Sequence, residues 1–196
     1  MKFPWYEYAA NIATIVIGAA GSLFLIKRDW KRYGLLFLLS GAVGTGLCYA
    51  FVLAGLYIFP NRPIQTIWSL PFLVMVTFVP FTVLAGVQFS PQRWIWKIPY
   101  YWAIVHIAVV SEVVLLAYTG IFRFTFGWDL WDSYTAWWLF YLIFEWIGGK
   151  IIPPRLRTPL SGRQFRYGRW AWIVFHTIVI STIFAFGVFV GFTMKQ

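Results

Sequence analysis

Long apolar stretches alternate with short polar ones along the whole chain. Six stretches, 6–26, 34–58, 70–89, 98–119, 134–152 and 169–192, are almost free of charge. A bilayer core of roughly 30 Å takes about 20 such residues per helix, so each has the length of a membrane span. The connections hold the turn formers and most of the charges: "KRDWKRYG", "FPNRPIQTIWS", "SPQRWIWK", "GIFRFTFGWDLWDS" and "PPRLRTPLSGRQFRYGR". None is long enough for a domain. The pattern predicts an all-α fold, one bundle of six transmembrane helices over residues 1–196.

Lys2 and the small residues of "GAAGS" also fit the outline of a signal peptide. The run continues through "LFLI" to four basic residues, however, as a retained helix with a cytoplasmic end does. Loops one, three and five hold Lys27, Arg28, Lys31, Arg32, Arg93, Lys97, Lys150, Arg155, Arg157, Arg163, Arg166 and Arg169, which is 12 of the 16 basic residues. The opposite side has Lys2, Arg62, Arg123 and Lys195. The positive-inside rule therefore predicts a multi-pass protein of the cytoplasmic membrane with both termini outside. Removing any one span would mix the two sets of charges.

Composition excludes a soluble domain. The chain is 61% hydrophobic and 11% charged, against about 25% charged for soluble proteins. The lone Cys48 permits neither an intrachain disulfide nor a cysteine metal cluster. Orientation accounts for the basic excess, so the expected partner is the bilayer and no nucleic acid is implied. Among the tryptophans, Trp5, Trp68, Trp128 and Trp131 fall at outer span ends and Trp94, Trp96, Trp146, Trp170 and Trp172 at inner ones, the positions of interface belts.

Small residues recur every fourth position in the first span (Ala10, Thr14, Gly18, Ser22) and the second (Ala42, Gly46, Ala50, Ala54). Close backbone approach drives helix association in lipid, so these two ridges are expected to pack on each other. Gly187 and Gly191 form a shorter ridge that suits an internal contact or a homo-oligomer. Pro80 lies mid-span in the third helix, where a kink or a break is expected.

Four ionisable residues lie well inside the spans, away from their ends: His106, Glu112, Glu145 and His176. Each costs about 2.5–3.5 kcal/mol at the bilayer centre and so needs a reason to be there. Counted from the cytoplasmic span ends, His106, Glu145 and His176 share a depth of roughly 10–12 Å, which predicts a polar cluster on three neighbouring helices. Three uses fit such a cluster. One is an internal hydrogen-bond network, another a proton-linked or cation-linked transport site. The third is a haem b held by His106 and His176. Glu112 lies deeper and about 240° around its helix from His106. Its nearest candidates for partners are Ser111, Thr119 and Arg123. No HExxH pair or recognisable nucleophile is present, so no catalytic residue and no metal ligand is assigned.

The fifth loop has six basic residues from Lys150 to Arg169, no acid, and prolines at 153, 154 and 159. Arg155, Arg157, Arg163 and Arg166 are expected to meet anionic lipid headgroups or a partner at the cytoplasmic face. The run "YLIFEWIGGKIIPP" followed by "FRYGRWAWIVFH" resembles small multi-pass membrane proteins of unknown function from spore-forming Gram-positive bacteria. That resemblance covers the last third of the chain and implies a bacterial cytoplasmic membrane but no activity. The tryptophan-rich translocator proteins that bind porphyrins are similar in composition only, and five spans are expected there. The function expected from the residues is a non-enzymatic transport component or membrane-assembly subunit without a cofactor. The alternative is a haem-binding redox anchor.

Overall fold

The computed structural model describes residues 3–62, 64, 69–125, 127–163 and 168–194. Apolar runs free of breakers are helical: α1 (Trp5–Ile26), α2 (Trp30–Leu53), α3 (Phe72–Phe89), α4 (Trp94–Tyr118), α5 (Leu130–Ile151) and α6 (Arg169–Thr193). A 3-10 turn follows α5 at Pro154–Leu156. Two short strands, β1 (Tyr57–Ile58) and β2 (Arg123–Phe124), pair antiparallel with Tyr57 opposite Phe124. The architecture is all-α, and α1 to α4 and α6 are each long and apolar enough to cross a membrane. The remaining long helix, α5, has 22 residues but includes Asp132, Glu145, Lys150 and four tryptophans, which lower its hydropathy.

Helix ends follow local chemistry more closely than hydropathy. Asp29 caps α2 by accepting from Arg32 N at 3.1 Å. Asp129 and Asp132 form a reciprocal capping box that starts α5 at Leu130, four residues before the apolar stretch begins. Similarly, α4 begins at Trp94 and carries Lys97 and Pro99 within its first two turns. At its far end α2 stops at Leu53, because Gly55 turns the chain with φ +71° into β1.

Helix α3 lies between α1 and α2, so the expected pairing of their small-residue ridges is not the main contact. Gly18 of α1 faces α3, where a methyl group would come within 2.7 Å of the Phe78 backbone. On α2 the residues that approach α3 are Gly41, against the Pro80 ring, and Gly44, against Val79, whereas Gly46 meets nothing within 4 Å among the described residues. The α3 helix runs unbroken through Pro80. Its far side packs on α5, and α5 packs on α4. The shared core includes Tyr33, Leu36, Leu84, Val87, Tyr101 and Phe144.

The last helix packs on α4. Trp170, Val174 and Ile178 of α6 pack on Trp96, Tyr100 and Ala103, and Val174 is its one buried residue. Gly187 and Gly191 meet nothing within 4 Å among the described residues, so their ridge serves no internal contact there. Of the expected belt tryptophans, Trp5, Trp94, Trp131, Trp146 and Trp172 are more than half exposed. Trp96, Trp128 and Trp170 instead pack inward on other side chains. Trp68 lies outside the described residues, as do Lys2, Lys195 and Arg166.

Candidate functional site

Glu145 is 1% exposed, near the end of α5 where the basic residues gather. One carboxylate oxygen, Oε1, pairs with Lys97 Nζ of α4 and accepts from Arg157 Nη1 at 3.2 Å. The other, Oε2, accepts from the Tyr101 hydroxyl at 2.7 Å. Both cations are themselves nearly enclosed, with side chains 11% and 9% exposed. Lys97 also sits 4.8 Å above the Trp94 ring. Arg157 donates from Nε to Ile152 O at 3.1 Å, while its Nη2 is buried with no hydrogen-bond partner among the described residues. A buried ion pair of this kind is strongly coupled to the fold, because deleting one partner strands the other charge in a low-dielectric interior.

The segment after α5 reaches this site in extended conformation, with Arg157 at φ −94° and ψ 157°. Successive side chains of an extended chain point to opposite sides. Arg157 turns to Glu145 while its neighbours face a second network. There the Tyr33 hydroxyl donates to Leu156 O at 3.1 Å. The Gln88 amide donates to Tyr33 and accepts from Thr158 Oγ1 at 2.7 Å and Arg28 Nη1 at 2.8 Å. Backbone bonds from Thr158 N to Gln88 O and Leu160 N to Phe89 O, both 3.1 Å, dock the segment on the end of α3. The fifth loop is thus a fitted cap over α2, α3 and α5.

The expected three-residue cluster does not form. Glu145's partners are Lys97, Tyr101 and Arg157, and neither histidine is among them. The physical reason is the early start of α4: His106 is 12 residues into the helix rather than eight, about 6 Å deeper than hydropathy indicates. Its Nδ1 lies 3.0 Å from Trp102 O and 3.3 Å from the Tyr134 hydroxyl on the far half of α5. His176 stacks on Trp172, ring centroids 3.9 Å apart, with Nδ1 2.8 Å from Trp172 O. It lines a groove of about 440 Å³ formed by α6 residues alone. One haem between two histidines needs both rings aimed into a common gap. These two occupy different settings, so the residues do not fit that group.

Glu112 also departs from expectation. Its carboxylate accepts from Ser133 Oγ and from Trp137 Nε1 at 2.8 Å, both on α5. Ser111 and Thr119 donate to carbonyls of their own helix instead. Of the four arginines expected at headgroups or a partner, Arg157 is enclosed with Glu145, while Arg155 and Arg163 are exposed.

A third buried carboxylate, Glu7, lies at the opposite end of the bundle, 1% exposed. It accepts from Asn61 Nδ2 at 3.1 and 3.2 Å and from Gly120 N at 2.8 Å, which ties α1 to the loops after α2 and α4. Nothing in the hydropathy pattern marks it, since it lies in the second residue of its apolar stretch. Lys97 had a legible signal, a lone amine inside a helix start, but counted as a loop residue it pointed only to orientation. The chain matches no protein family, no curated protein and no solved structure.

Proposed function

We propose that this chain is a six-span protein of a bacterial cytoplasmic membrane, both termini outside, and a non-enzymatic subunit of a membrane assembly. The sixth span is α5. Its 22 residues give about 33 Å of helix, enough to cross a bilayer core. Its charges have uses compatible with lipid around them. Asp132 caps the start, Glu145 is enclosed by partners, and Lys150 sits 3.4 Å above the Trp146 ring at the end. Six spans then gather the basic loops on one side, which the positive-inside rule makes cytoplasmic. The resemblance of the last third of the chain supports a bacterial membrane.

The assembly role rests on one contrast. Glu145, Glu112 and His106 all bond to side chains of other helices, whereas His176 bonds only within α6 and lies in that helix's own groove. An ionisable side chain on a lipid-facing surface is costly, and a second helix seated in the groove would cover it. Within a bilayer such an occupant is itself a helix, because its backbone must be satisfied internally. Extraction of native membranes into lipid particles tests this. A stoichiometric companion, either another subunit or a second copy, is expected, and it should be lost from His176→Phe. The protein emerging alone, with proton or cation flux in reconstituted vesicles, would replace assembly with transport.

A further inference from the structure

The third and fifth loops border an open cavity of about 490 Å³ whose lining includes Arg93, Trp96, Leu160, Ser161 and Arg163. We propose that this cavity binds a phosphate-bearing anion, the headgroup of an anionic phospholipid, with Arg93 and Arg163 as its cationic walls.

Charge accounting carries the assignment. The whole chain has six carboxylate side chains. Glu7 is committed to Asn61 and Gly120, Glu112 to Ser133 and Trp137, and Asp129 and Asp132 to the start of α5. That leaves Asp29 and Glu145, and these pair with Arg32 and with Lys97 and Arg157. Arg93 and Arg163 therefore face one cavity with no acidic side chain left in the protein to neutralise them. An arginine fork binds phosphate oxygens in a bidentate manner, so two arginines lining one pocket suit a phosphate. Ser161 adds a hydroxyl donor to the lining.

The cavity is held open by packing. Gly162 lies so close to the Trp96 ring that a methyl group there would meet its Nε1 at 2.9 Å, so indole and loop backbone fix each other. Beyond the loops, Trp94, Ile95, Ile98 and Trp102 of α4 are all more than two-fifths exposed. The helix that brings Trp96 to the pocket thus also carries exposed apolar surface for acyl chains, which favours a lipid over a free anion.

The proposal rests on the membrane reading of the basic end but not on the assembly role. The test uses the full chain purified in an uncharged detergent. Thermal unfolding is followed during titration with phosphatidylglycerol, phosphatidylcholine or inorganic phosphate. Phosphatidylglycerol is expected to raise Tm, phosphatidylcholine to leave it unchanged, and inorganic phosphate to act weakly. In the double variant Arg93→Gln/Arg163→Gln, half-maximal stabilisation should need roughly 10- to 30-fold more phosphatidylglycerol, with the lipid-free Tm preserved. Each single variant should show roughly a 5-fold change. Lys27→Gln, which removes an exposed positive charge outside the cavity, should behave as the parent does. Inorganic phosphate acting as strongly as the lipid would assign the same cavity to a soluble phosphate. Undiminished lipid stabilisation in the double variant, or equal loss in Lys27→Gln, overturns the proposal. Loss of a companion subunit would not affect this experiment, so the two readings fail separately.

Discussion

At the residue scale the acids are fasteners. Glu145 joins α5 to α4 and to the fifth loop, Glu112 joins α4 to α5, and Glu7 joins α1 to two loops. Each sits where a carboxylate without partners would be prohibitive. Glu145→Gln preserves shape but strands Lys97 and Arg157 beside a neutral amide. It should cost about 3–5 kcal/mol, read as a drop in unfolding midpoint in detergent. Tyr101→Phe removes a single bond to the carboxylate and leaves both cations paired, so a smaller loss of about 1.5–3 kcal/mol is expected in the same assay. Hydropathy marks Glu145 as exceptional, and that was legible in the sequence. Its partners were not, because Lys97 and Arg157 reach it from a helix start and an extended loop that both read as surface.

Helices meet through glycines whose positions follow from which neighbour they face rather than from their spacing. Gly18 lets α1 touch the backbone of α3, and Gly148 admits Val87, whose Cγ2 would lie 2.6 Å from an added methyl. Helix α5 continues through Gly148 and Gly149 to Ile151. Gly148→Ala should therefore push α5 from α3 and cost about 1–3 kcal/mol. Gly187→Ala, in open surroundings within the chain, should leave the isolated protein's unfolding midpoint unchanged. The fourfold spacing of small residues was visible from the outset. Which ridge met which helix was not, because the arrangement of helices around α3 depends on contacts far apart in the chain.

For the whole molecule, six helices and their loop charges make a claim about sidedness. Single cysteines placed at Arg155 and at Arg123 in a Cys48→Ala background should label from opposite faces of sealed vesicles. Labelling of both from one face would show that one of the six helices does not cross. Fold class and nearly all the helices were legible, because the bilayer demands long apolar runs whatever the packing. The polar interior was not, since an error of four residues at the start of α4 moves His106 by more than one helical turn.

The extended cap after α5 has a phase as well as a composition. Arg157 and Thr158 serve different networks only because they lie on opposite sides of one strand-like segment. One alanine inserted between Arg157 and Thr158 would put the hydroxyl on the guanidinium's side of the segment, away from Gln88. Two inserted residues would restore the alternation at the expense of slack. The single insertion should thus destabilise the protein more than the double one, an odd-even dependence on loop length that flexible connections lack.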